Sequence, residues 1–148
     1  MLLTTTLGEN VVSKASAETV GSVEGVVIDA QARTVVALQV GKGRKARVVP
    51  WTSVNGVGTA AVVVDDDASV REPTDDEDRY VGGSVKVIGG LVLSDRGNAH
   101  GDIVDVEYDE DTGGVISIRT RTATIAADRL RSIGSYAWVV EAGDDEPA

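Results

Sequence analysis

The sequence predicts an all-β protein made of two small copies of one unit, and three observations carry that prediction. Val, Ile and Thr crowd the apolar runs, and β-branched side chains suit a pleated, half-buried surface better than a helix. Turn residues punctuate the runs at short intervals, as at Asp29-Ala30-Gln31-Ala32-Arg33 and Asp109-Glu110-Asp111-Thr112-Gly113-Gly114. The chain also matches itself. Gly21-Ser22-Val23-Glu24-Gly25-Val26-Val27-Ile28-Asp29 aligns with Gly101-Asp102-Ile103-Val104-Asp105-Val106-Glu107-Tyr108-Asp109 at an offset of 80.

In chain order, the first copy is expected to form strands near residues 10–13, 19–29, 34–41, 45–51 and 60–64. The second copy repeats them near 91–94, 101–109, 114–121, 123–127 and 136–141. Val35-Val36-Ala37-Leu38 keeps the offset of 80 onto Val115-Ile116-Ser117-Ile118. It then falls to 76, with Val54-Asn55-Gly56-Val57-Gly58 on Leu130-Arg131-Ser132-Ile133-Gly134 and Ala61-Val62-Val63-Val64 on Ala137-Trp138-Val139-Val140. A four-residue deletion between Val40 and Val48 accounts for the change. Val36, Leu38 and Val40 alternate and are assigned to one face, as are Ile116 and Ile118. Thr52-Ser53-Val54 and Asp128-Arg129-Leu130 each fit one helical turn capped by its first residue. Nothing else reads as helical. Five short strands per copy suggest a small barrel or a strongly curled sheet.

The chain has 148 residues, which admits one ordinary domain or two very small ones. It contains no cysteine, so disulfides, thiolate metal sites and a cysteine nucleophile are all excluded. No apolar run approaches the ~20 residues of a membrane-spanning helix. The opening Met1-Leu2-Leu3-Thr4 lacks a basic, long apolar leader, and the expected location is the cytoplasm. The net charge of −10 is unevenly spread. Residues 65–79 hold eight acids against two bases, and residues 141–148 hold four acids and no base. The flanking segments are close to neutral. An acidic whole repels a phosphate backbone, so no nucleic-acid partner is expected. The expected division is a first domain over 1–66, an acidic linker over 67–81, a second domain over 82–141 and an acidic, disordered tail over 142–148. Linker and tail have almost nothing apolar to bury and are expected to stay extended.

The ordered set of signals resembles the PRC-barrel family, small β-barrels found in the H subunit of photosynthetic reaction centres and in a ribosome maturation factor. The residues that carry the resemblance are Leu7-Gly8, a Gly21-x-Val23 strand start, the Val26-Val27-Ile28-Asp29 end and the Val35-Val36-Ala37-Leu38 return. Val48-Val49-Pro50-Trp51 and the Val57-Gly58 or Ile133-Gly134 step complete it. The second copy departs from the pattern where Ala126-Ala127 replace Pro50-Trp51. The resemblance implies two such barrels in tandem, protein contacts as the mode of action, and no catalytic motif. A unit of about 60 residues buries little core. The copies are therefore expected to pack against each other within the chain or to pair with another chain.

Few residues suggest chemistry. His100 is the only histidine, and Arg96-Gly97-Asn98-Ala99-His100-Gly101 reads as a solvated hairpin loop. No second His or Cys completes a transition-metal site. Glu107-Tyr108-Asp109-Glu110-Asp111-Thr112-Gly113 faintly resembles a calcium loop, but Ile118 stands where the bidentate Glu belongs, and a tight turn explains the same residues. The Asp65-Asp66-Asp67 run reads as solvated linker. No metal or other cofactor is expected. The one basic cluster, Lys42, Arg44, Lys45 and Arg47, lacks a P-loop ending and reads as a hairpin tip. It is a candidate anion or protein contact, with the acidic residues 65–78 of the same chain as nearest partner. Trp51 and Trp138 are candidate core residues or protein-contact anchors.

The expected function is a non-enzymatic interaction protein, a scaffold or adaptor for a protein partner the sequence does not name. One alternative is a ribosome-assembly module that binds a ribosomal protein. The other is a small hydrolase using carboxylates such as Asp29 and Asp109, whose turn positions favour a structural role.

Overall fold

The computed structural model describes residues 1–144 and 146. Twelve strands are assigned among these residues: β1 Asn10–Ser13, β2 Thr19–Asp29, β3 Thr34–Val40, β4 Arg47–Pro50, β5 Val54–Val57, β6 Ala61–Val64, β7 Leu91–Ser94, β8 Ala99–Tyr108, β9 Val115–Thr120, β10 Thr124–Ala126, β11 Leu130–Ile133 and β12 Trp138–Val140. They form two six-stranded sheets with orders β4-β3-β2-β1-β6-β5 and β10-β9-β8-β7-β12-β11. Within each sheet the first strand pairs parallel with the last, while the other pairs are antiparallel. The outermost strands of each order are consecutive in the chain, linked by the 3-10 turns Trp51–Ser53 and Ala127–Arg129. Each sheet therefore curls back on itself, its ends joined by that turn and not by a strand ladder.

Several sequence expectations change here. Strands β5 and β11 occupy segments not expected to be strands. The 3-10 turns begin one residue early, so their cap positions fall on Pro50 and Ala126, and no side chain caps them. The pattern on β3 is shifted by a bulge. Val27 opposes Ala37 but Ile28 opposes Val35, leaving Val36 extra. An extra residue reverses the alternation of faces, so Val35 joins Leu38 and Val40 in the main core while Val36 packs elsewhere. The bulge recurs at Ile116, which is 49% exposed while Ile118 is fully buried. The other ladder irregularities recur as well, at Val11/Val12 and Val92/Leu93, and at Val54/Gly56 and Leu130/Ser132.

Two helices also depart from expectation: α1, Leu3–Thr6, and α2, Asp75–Val81. In α2, Thr74 accepts from the Glu77 amide while the Glu77 side chain accepts from the Thr74 amide, a capping box. Acids crowd the first turn and Arg79 lies in the last, both favourable to the helix dipole. The acidic segment thus gains local order, and Tyr80 and Val81 give it an apolar purchase on Val27, Ala37 and Val48.

The two helices are exchanged between the halves. Helix α1 precedes the first sheet but contacts β8 of the second, where the Thr4 hydroxyl donates to Asp105 at 2.6 Å. Helix α2 precedes the second sheet but contacts β2 of the first, where the Tyr80 hydroxyl donates to the Ile28 carbonyl at 2.7 Å. Between these crossings the turns of β2–β3 and β8–β9 meet through a reciprocal pair of backbone hydrogen bonds. The Val35 amide donates to the Gly113 carbonyl and the Val115 amide to the Arg33 carbonyl, each at 2.8 Å. These positions are related by the offset of 80 read from the sequence. One apolar core runs through both halves, with Leu3, Val26, Ile28 and Leu38 sharing it with Ile103, Tyr108, Ile118 and Trp138.

Gly113 lies in this turn contact with φ +80°, and a Cβ there would stand 3.0 Å from the Trp51 ring and from the Val35 carbonyl oxygen. Left-handed backbone costs an L-residue roughly 1–2 kcal/mol before any contact is counted. Gly113→Ala is therefore expected to lose at least about 2 kcal/mol of stability in urea unfolding.

Candidate functional site

The basic cluster forms the β3–β4 tip, with a 3-10 turn over Gly43–Lys45. Lys42 lies 3.6 Å from Glu24, and Arg47 lies 2.8 Å from Glu72. Glu72 belongs to the acidic segment, which folds back beside the tip. Val48 and Arg71 exchange backbone hydrogen bonds of 2.9 and 2.8 Å, covering part of the open edge of β4. Arg71 then grips Glu77 in helix α2 through two guanidinium nitrogens, at 2.7 and 3.0 Å. Arg44 and Lys45 project into solvent, with no ion pair among the described residues.

Bonding to Arg71 holds the Glu77 carboxyl below its ordinary value. A carboxyl depressed in the folded state stabilises that state fully above its unfolded pKa of about 4.5. The contribution fades as pH falls from there through the lower folded value. Acid titration of the unaltered chain should therefore weaken α2 below about pH 4.5, and Glu77→Gln should flatten that part of the profile. Helical circular dichroism and the amide signals of residues 74–82 report it.

The six residues singled out from the sequence do not converge. Lys42, Arg44, Lys45 and Arg47 share the tip. Trp51 stands at the other end of β4, in the seam between the halves, with its ring edge-on to Tyr108 at a centroid distance of 6.1 Å. Trp138 is only 1% exposed and donates its indole N–H to the Lys86 carbonyl at 2.8 Å. It is a core residue, too deep to anchor a partner.

The carboxylates proposed for hydrolysis serve turns. Asp29 accepts from the amides of Gln31 and Ala32, and Asp109 from those of Asp111 and Thr112. The Thr112 and Asp111 amides hold the Asp109 carboxyl below its ordinary value, which suits an anionic turn brace better than a proton donor. Burial raises the Glu9 carboxyl, and no second raised carboxyl faces it among the described residues. His100 is not in a loop: it lies on β8, with its Nε2 2.7 Å from Glu146 Oε1. Of the tail, Asp145, Pro147 and Ala148 lie outside the described residues.

Sequence reasoning missed the exposed apolar residues. Tyr136 is 80% exposed at the β11–β12 turn, and Ile116, Val104 and Ile88 are 49%, 41% and 38% exposed. Tyr136 edges a shallow depression floored by Leu93, Ile133 and Val139. Its repeat counterpart is Ala60, and that contrast was the available signal. A turn residue that is aromatic in one copy and Ala in the other owes nothing to the shared fold.

Residues 1–71 match the family model of the PRC-barrel domain. No curated protein matches the chain. The match ends at Arg71, the residue that closes onto β4, and so spans the first sheet together with its edge cover. The whole chain is mostly β, in two six-stranded sheets consistent with two tandem PRC-like domains. Among the described residues, no helix is long and apolar enough to cross a membrane.

Proposed function

We propose that the chain is a non-enzymatic interaction module, a scaffold or adaptor built from two PRC-type repeats, with a partner-binding face on the second. Residues 1–66 and 82–141 are the two repeats in this reading, and 67–81 is the strap between them. The observation that carries it is Tyr136, an aromatic side chain 80% exposed beside half-buried Leu93, Ile133 and Val139. Aromatic side chains are enriched at the centres of protein interfaces, where they bury a large apolar area at low entropic cost. The PRC-barrel match over residues 1–71 supports protein contact as the mode of action. Arg44 and Lys45 add a basic tip suited to an acidic partner surface.

Affinity capture with the unaltered chain and with a Tyr136→Ser chain tests the reading. A specific protein retained by the first and lost by the second, with equal unfolding midpoints, supports it. Equal retention by both chains removes the Tyr136 face. Enrichment of ribosomal proteins would move the assignment to a ribosome-assembly module.

A further inference from the structure

Each sheet ends its first strand on a buried serine, Ser13 in β1 and Ser94 in β7, 0% and 3% exposed. A hydroxyl has one proton to donate and two lone pairs that accept. At Ser94 the amides of Arg96 and Asn98 both donate to the oxygen, at 3.3 Å each. With its lone pairs so engaged, the O–H is directed outward to an acceptor.

That acceptor is the Glu146 carboxylate. Its Oε2 receives the Ser94 hydroxyl and the Asn98 side-chain amide, the latter at 2.9 Å, and its Oε1 lies 2.7 Å from His100 Nε2. The Arg96 guanidinium donates to the Glu146 carbonyl. The Ser94 hydroxyl, then the Asn98 amide, hold the Glu146 carboxyl down at about 2, so the site selects the ionised form.

The first sheet carries a simpler arrangement at its own buried serine. There the Ser16 amide donates to the Ser13 oxygen at 3.3 Å. The Ser16 hydroxyl donates to the Asp67 carboxylate at 2.9 Å, and Ser13, then Ser16, hold that carboxyl below its ordinary value. The two occupants are not equivalent residues. Asp67 follows the last strand by three positions and Glu146 by six, and the repeat alignment sets Asp67 against Gly143. The buried serine at the strand end recurs, while the other donors and the occupant do not: Ser16 serves in the first sheet, Asn98 and His100 in the second. In the second repeat the donors sit on β7, β8 and the turn between them, whereas Glu146 arrives on a segment whose described residues carry neither strand nor helix. A preorganised receptor with a loosely tethered ligand is the arrangement in which exchange costs least.

We propose that Ser94, Asn98 and His100 form a carboxylate-binding cradle, filled in cis by Glu146 and open to an acidic side chain of a partner peptide when Glu146 leaves. The cradle shares no residue with the Tyr136 face, and the two stand or fall separately. As a test, full-length, isotopically labelled Glu146→Ala protein is titrated at low salt with the amidated peptide Glu-Ala-Gly-Asp-Asp-Glu, the sequence of residues 141–146. Saturable shifts of the Ser94 and Asn98 amides and of the His100 ring are expected. Affinity should fall at least tenfold when the peptide's last Glu is replaced by Gln. A similar loss is expected with the unaltered chain, whose cradle is occupied. If the Ala variant folds poorly, Glu146→Gln takes the same titration. Absence of saturable shifts at these three residues, equal affinity for the Glu and Gln peptides, or equal affinity of the unaltered chain would overturn the proposal. Tyr136-dependent capture that persists in any of those cases leaves the interaction reading intact.

Discussion

Replacing Trp138 with alanine is expected to cost about 3–5 kcal/mol, the range for deleting a large buried aromatic. Its ring fills the second half of the core at 1% exposure, and its indole N–H satisfies the Lys86 carbonyl. The variant therefore loses apolar burial, leaves a cavity and strands a carbonyl. The consequence reaches beyond the second sheet, because the apolar cluster containing Trp138 also contains Val11, Leu38 and Val62 of the first. Loss of Trp138 should lower the urea midpoint of the whole chain in one transition. Trp51, the remaining tryptophan, sits on the first repeat and provides the check. Its fluorescence should shift to the same lower midpoint as the far-ultraviolet circular dichroism. An unmoved Trp51 transition would mean that the halves unfold separately, and the shared core would then be energetically divided.

How much of this was legible in the sequence depends on the range of the interaction concerned. Ten of the twelve strands and the repeat were readable because β-branched runs and turn residues are local signals, whereas β5 and β11 were not. The bulges at Val36 and Ile116 were not, since an extra residue shows only when the opposing strand is in place. Helix α2 had a local signature in Thr74-Asp75-Asp76-Glu77. Its acidic composition argued for an extended chain, and long-range contacts outweigh that: Tyr80 and Val81 dock on Val27, Ala37 and Val48, and Arg71 grips Glu77. The basic tip was visible as a charge cluster; of its four cations, Arg47 pairs with Glu72 of the acidic segment and Lys42 with Glu24. The cradle around Glu146 was hidden because it joins residues about fifty positions apart, and a lone histidine with scattered polar neighbours has no recognisable spacing.

The seam between the repeats should be the second most sensitive place in the molecule. Tyr108 of the second repeat is 1% exposed, stands edge-on to Trp51 of the first, and bonds its hydroxyl to Thr6 at 2.5 Å. Tyr108→Ala removes the ring that both halves share, and a loss of about 3–5 kcal/mol is expected. Tyr108→Phe keeps the ring and removes only the hydroxyl, with an expected loss of about 1 kcal/mol. The pair of variants separates ring packing from the hydrogen bond. Alkaline titration gives an independent check. Burial raises the Tyr108 hydroxyl above its ordinary value. Its contribution is complete below an unfolded pKa of about 10 and declines as pH rises through the folded value. The Phe variant should lose that part of the alkaline decline. If Tyr108→Ala leaves the unaltered midpoint in place, the repeats hold together by their exchanged helices and paired turns, and the ring between them is incidental.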